Sequence, residues 1–545
     1  MPIRWKLWGA TTALSVMYYA PYGYQYDILN TPQDVIQNFV VTRLEHNYNL
    51  SLSKAEISFI WSFYVALLSV GNILGCCIAP VIADRLGRRK GLMWTANPIA
   101  VIGAGIQLLA KPTGRPELLL ICRFLIGIRC GISSSLIATY LLESCPETTR
   151  GRTGSIIDFC SSLGNAFAFL FGMPYLLGTS YGWPLLLSLD LICAVAAIIF
   201  TPFFPESPKY SLLLKGKEEE AKQAISFFHG KHVKTRNVIK QILMEESEPT
   251  AIAQGMTFWD LIASYKLVFI LSVIIGLLPS VSGYQALGSY SAPMLEQSGM
   301  PETWADNYTL LMSLFELIGA VASLVVNNSA PRRLVLLSAL AVTIIGNISM
   351  YVFCEIAAME STRSDIKQYL LDAAGMGTFI VAAAASMALF PLCEIIMAEL
   401  APLPIRATAT SACLGALAFG DVATKLITWP LFTLVAHNVF LVQTVLSGIC
   451  LGLLAWLLPE THPDFREIDN EELLHLRQKI RTRDEAYYSS TGTSIHFPTV
   501  VNSSSSSSSR TSRRTSSEGE LPKTKMDANL TDGNMPTRLM DAMLP

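Results

Sequence analysis

Apolar residues along this chain gather into twelve runs, each close to the roughly 20 residues an α-helix needs to cross a hydrocarbon core. They lie near 8–29, 57–78, 91–110, 118–142, 154–177, 184–204, 267–294, 308–327, 333–356, 370–398, 408–434 and 438–458. A polar stretch at about 205–262 separates the sixth run from the seventh and predicts short amphipathic helices outside the membrane. The pattern predicts an all-α polytopic membrane protein of twelve transmembrane helices in two six-helix, pseudo-symmetric halves. Residues 1–204 form the first half, 205–262 the linker, 263–458 the second half and 459–545 a polar tail.

Composition agrees. Charged residues make up 15% of the 545, against about 25% in an ordinary soluble domain, and mean hydropathy is +0.41. Net charge is −2, which gives no footing for a nucleic-acid partner. The first run follows "MPIRWKLWGA" without a short apolar core and cleavage site, so it is expected to remain in the mature protein. The 11 cysteines show no CxxC spacing; they read as small buried hydrophobes. No catalytic constellation, metal site or cofactor is expected, and the chain does not read as an enzyme.

The two halves echo each other. Glu143-x-x-Pro-x-x-x-Arg150 recurs as Glu399-x-x-Pro-x-x-x-Arg406, "PES" containing Glu206 recurs as "PET" containing Glu460, and Arg88-Arg89 recurs as Arg332-Arg333. Each pair is offset by about 250 residues, a period long enough to be a half-protein duplication. Parallel six-helix repeats imply an axis along the membrane normal and a site between the halves, the architecture of alternating access. Asp84, Arg88, Arg89, Glu143, Arg150, Glu206, Arg332, Arg333, Glu399, Arg406 and Glu460 are therefore expected to gate, by bridging the halves when that side is closed. Basic loops follow the even-numbered helices, which places both termini in the cytoplasm. Asn49 in "NLS" then lies outside, as a glycan acceptor.

Seven motifs carry a family resemblance over about residues 8–470. They are "GYQYDILNTPQ" (23–33), "ADRLGRRK", "RFLIGIRCG", "ESCPETTRGR", "WPLLLS", "PESPKYSLL" and "PETHPDFREI". In this order the chain resembles the sugar porters of the major facilitator superfamily, and among them the animal facilitative hexose transporters. The resemblance implies a substrate cavity that includes Gln25, Asp158, Ser282, Gln285 and Glu394. Here the chain departs from the family: Asp158 stands for a fifth-helix Gln, Pro279 and Ser280 for a Gln pair, and Glu394 and Ala418 for two cavity tryptophans. A pyranose needs amide donors and acceptors for its hydroxyls and an aromatic platform for its apolar face, so the pocket is altered more than the scaffold. Asn328 replaces the second loop's acid and Pro331 its Gly, which predicts a weaker charge lock there.

Ionisable residues at membrane depth are costly and usually functional. Asp158 lies about 12 Å up its helix from Arg150, near mid-membrane, and Glu394 stands twelve residues before Arg406. Facing one cavity, the two carboxylates could bind a cation, share a proton or cradle hydroxyls; pairing with Arg129 is the structural alternative. Asp27 with Arg123 is a candidate displaced relay. Asp421 and Lys425, four apart, are expected to pair on one helix face. Asp190 and Glu316 are expected at helix peripheries, without a role.

The Ser-rich tail (503–520) cannot build a core. "RRTSS" and "DNEELL" point to kinase and sorting-adaptor contacts. The sequence thus reads as a plasma-membrane transporter moving a small sugar-like solute down its gradient. The alternatives are a proton-coupled or organic-cation carrier using Asp158 and Glu394, and a non-transporting nutrient sensor.

Overall fold

The computed structural model describes residues 5–49, 51–146, 149–230, 233–246, 265–359, 364–401 and 405–461. Eleven helices among them are long and apolar enough to cross a membrane. The run at 8–29 is the remaining span: it forms two shorter pieces, α1 (Trp5–Tyr18) and α2 (Ala20–Asp27). Pro21 in the first turn of α2 carries no N–H, so the helix restarts where a donor would go unused.

A helix that the apolar pattern did not signal follows, α3 (Gln33–Tyr48), with Ile36 and Val40 buried. The rest of the first half is α4 (Lys54–Leu86), α5 (Arg88–Thr113), α6 (Glu117–Ser144), α7 (Arg150–Gly172) and α8 (Trp183–Phe203). Ser53 and Glu56 cap α4 reciprocally, each side chain accepting the other's backbone N–H. Helices α4 and α6 cross at glycines four apart on each: a methyl on Gly71, Gly75, Gly127 or Gly131 would run into the facing backbone.

Among the described residues of the linker are two helices, α9 (Glu218–His229) and α10 (Thr235–Glu246). Ala221, Ala224, Ile225 and Phe228 are the buried stripe of α9, and Phe228 meets Tyr140 of α6 edge-on. The second half is α11 (Lys266–Gln297), α12 (Glu302–Ser329), α13 (Arg332–Ala358), α14 (Ile366–Met397), α15 (Arg406–Val435) and α16 (Asn438–Leu457).

Helix α11 breaks at Ser282–Gly283, where Gly283 has φ +86°, a conformation other residues adopt only at a cost. The break frees carbonyls at membrane depth, which need partners there. Asn347 donates to Ser282 O and Ser447 to Val281 O.

The surface is inverted relative to a soluble protein. Phe59, Trp94, Ile192, Val325 and Trp456 are exposed, while Arg123, Arg129 and Lys425 are fully buried. Large apolar area facing out with charge held inside is the arrangement of a protein solvated by lipid. The chain is a multi-pass integral membrane protein.

Candidate functional site: charge clusters and the seam between halves

The first cluster forms where α4 turns into α5. Gly87 ends α4 with φ +95°, and the next amides point at one carboxylate. Glu206 accepts from the backbone N–H of Arg88 (3.1 Å), Arg89 (2.9 Å) and Ser207 (3.1 Å). Arg88 then reaches Glu143 of α6 at 2.9 Å, whose other oxygen accepts from Ser207 Oγ at 2.5 Å. The Arg89 guanidinium donates to Pro202 O and Phe204 O at the end of α8.

The second half repeats this arrangement. Glu460 accepts from the N–H of Arg332 (3.0 Å), Arg333 (3.2 Å) and Thr461 (3.0 Å). Arg332 pairs with Glu399, and Arg333 donates to Ala455 O at the end of α16. Pro331, with φ −58°, caps the turn in place of Gly87. These pairs join elements of the same half. Asp84 is exposed and holds no ion pair among the described residues. Arg150 begins α7; the side chains of Arg406 and Asn328 lie outside those described.

At membrane depth the charges are sorted differently from the expectation. Asp190 and Glu316 are not peripheral: they are 3% and 2% exposed. Asp190 faces Arg129 at 3.9 Å inside the first half, so Arg129 has an acid on α8 beside it. Burial of one charge demands the other nearby; the sequence separation of 61 hid the pair. Glu316 of α12 accepts from Asn165 of α7 at 2.9 Å, across the two halves. Ser386 donates to the Glu316 backbone carbonyl.

Gln25 is fully buried, donates to Leu187 O and accepts from Arg123, which also bonds the Gln25 carbonyl at 2.9 Å. Asp27 packs against Gly288 of α11, where a side chain would strike its carboxylate. Ser282 is buried and donates to Pro279 O; half-buried Gln285 accepts from Ser280. Asp158 is half-buried on α7, and the side chain of Glu394 lies outside those described.

Polar contacts stitch the seam. Besides Asn165 and Glu316, Lys425 of α15 bonds Asp421 on its own helix and Ser69 of α4, with its ammonium 3.8 Å from the Tyr26 ring centroid. At the end opposite the Arg88 and Arg332 clusters, Asn30 donates to Leu287 O and Gly288 O and accepts from the Ala292 N–H. The Asn30 clasp was unread because an Asn two residues before Pro32 looks like a turn residue.

Solved structures share this architecture. XylE, a major facilitator superfamily proton:xylose symporter bound to 6-bromo-6-deoxy-D-glucose, superposes with a TM-score of 0.66 at 18% identity, over 83% of this chain and 96% of that one. The inward-open conformation of the xylose transporter XylE from E. coli gives 0.66 at 18%, over 86% and 99%. At these identities the likeness is one of fold.

Among curated proteins, mouse solute carrier family 2, facilitated glucose transporter member 7 is 29% identical over 326 residues, 59% of this chain and 63% of the relative. Human member 3 is 29% identical over 314 residues, 57% and 62%. The matched region thus spans under two thirds of those relatives. The family model "Sugar (and other) transporter" covers residues 11–471, and with most of its length inside that match, the chain belongs to the sugar transporter family.

Proposed function

We propose that this protein moves a small polar organic solute, a sugar or sugar-like molecule, across the plasma membrane by alternating access, as a facilitator. The observation that carries the reading is the duplicated cluster: Arg88 between Glu143 and Glu206, and Arg332 between Glu399 and Glu460, on equivalent elements of two halves. Each fixes a loop to the end of its own half, so each half can rock as a body while its gate residues keep their geometry. The Asn30 clasp closes the opposite end, which on the positive-inside reading is the extracellular one, with both termini in the cytoplasm. Relatives named as glucose transporters and a fold shared with a xylose transporter support a sugar-like solute.

In this reading Asp158, Ser282, Gln285 and Glu394 belong to the cavity, and Asn49, exposed at the end of α3, carries a glycan. Uptake into proteoliposomes, with hexoses, polyols and organic cations and with and without a pH gradient, tests the proposal. Saturable, pH-independent sugar or polyol flux is expected. Absence of all uptake from folded, correctly oriented protein would overturn it. The "RRTSS" and "DNEELL" stretches, proposed for kinase and adaptor contacts, lie outside the described residues.

A further inference from the structure

Between the α4–α5 turn and the linker lies a cavity of about 480 Å³, far from the seam. That is the size of a site for a small molecule. Its wall holds five basic residues, Arg85, Arg89, Lys90, Lys215 and Lys217, and two acidic ones, Glu206 and Glu220, a surplus of three positive charges.

The two acids already have partners. Glu206 accepts the backbone N–H groups of the α4–α5 turn described above, and Glu220 is paired with Lys217 at 2.6 Å. The bond from Lys217, and then the charges of Lys217, Lys90 and Arg89, hold the Glu220 carboxyl below its ordinary range. Arg89 spends its guanidinium on two neutral carbonyls, and Lys215 lies over the Tyr210 ring, 5.6 Å from its centroid. Arg85 and Lys90 are exposed and make no ion pair among the described residues. Four cations around one concave space, Arg85, Arg89, Lys90 and Lys215, thus form no ion pair among the described residues. Trp94, one turn past Lys90, is 70% exposed, which sets the cavity at the level of the membrane interface.

We propose that this cavity binds a compact, multiply phosphorylated ring, as a free polyol phosphate or as the headgroup of an inositol lipid. Guanidinium and ammonium groups spread around a concave wall suit several phosphates at once, whereas a single carboxylate, as Glu220 illustrates, is satisfied by one lysine. Bound there, the ligand ties the α4–α5 turn to α9 and so adjoins the first gate cluster without displacing Glu206. The proposal is independent of what solute is carried.

The test is direct binding to the purified full-length protein in neutral-lipid nanodiscs. Soluble inositol hexakisphosphate is titrated by calorimetry in one arm; in the other, nanodiscs containing phosphatidylinositol bisphosphate are scored by retained lipid. Binding in either arm, weakened by salt and by about tenfold or more in Arg85→Gln/Lys90→Gln/Lys215→Gln, is expected, since charge-assisted bonds to the phosphates are lost. Binding in the first arm identifies a free phosphate, and in the second alone a headgroup. Lys90→Arg/Lys215→Arg should retain affinity, and melting temperatures establish that the triple variant is folded. No binding in either arm, or equal binding by the folded triple variant, overturns the proposal.

Discussion

The Lys425 ammonium lies 3.0 Å from Ser69 Oγ, so a buried charge of the second half is held by a hydroxyl of the first. Its counter-ion, Asp421, sits on its own helix at 3.1 Å. Removing the lysine alone strands that carboxylate in a dry seam. Lys425→Met is expected to destabilise the protein by about 3–5 kcal/mol, and Lys425→Met/Asp421→Asn to recover most of the loss. Thermal melts of the single and double variants decide this. Equal melts for the two would mean that the charges are not coupled.

Glu206 and Glu460 each collect several amides of an arginine loop. Glu206→Gln keeps the shape but gives up the charge, and is expected to lower maximal uptake about tenfold, equivalent to 1.4 kcal/mol on the rate-limiting step, with little change in KM. Glu460→Gln should act the same way if the halves work as a pair. A rise in KM with unchanged maximal uptake would place these residues in solute binding instead.

Gly87 holds φ +95° and a Cβ there would press on the Tyr210 ring. Gly87→Ala is expected to cost at least about 1–3 kcal/mol. At the equivalent cap of the second half, φ is −58°, so Pro331→Gly should cost only about 0.4–1 kcal/mol, by loosening the unfolded chain. The asymmetry between two corresponding positions is the measurable point, again by melting.

Asn30 spends both ends of its amide on α11 across the seam. Asn30→Ala would remove these bonds and leave the Ala292 N–H unmet, roughly 1–3 kcal/mol. The expected result is faster labelling of a cysteine placed at Ser289 by an impermeant thiol reagent added from that side. An unchanged labelling rate would show that the clasp does not hold that end closed.

Much of the architecture was readable because a membrane imposes length on its helices: the twelve runs recur as helices, most extended by a few residues where polar ends reach past the apolar core. Helix α3 escaped because its two buried apolar residues in sixteen are too few for an apolar run. The loop clusters were visible as repeats, since Glu143 and Glu399 or Glu206 and Glu460 keep their spacing to the arginines. The backbone amides that Glu206 and Glu460 collect were not, because main-chain donors leave no mark in a sequence.

The Lys425 and Asp421 pairing was legible from a separation of four residues. The partners of Asp190 and Glu316 were not, because each lies on a distant segment that only packing brings close. Charge at membrane depth announces that a partner exists without naming it.

Because much of the apolar surface of this protein faces outward and its helices close most of their own backbone bonds, heat has two unequal jobs to do. Prising helices apart means losing glycine-mediated crossings and a few seam contacts. Uncoiling a helix inside a micelle means exposing amides to hydrocarbon, at several kcal/mol each. The first should therefore give way well before the second, so far-ultraviolet dichroism would report an intact molecule after function is gone. A probe on the seam, such as fluorescence from Trp429 stacked on Tyr290, would register the loss when it happens.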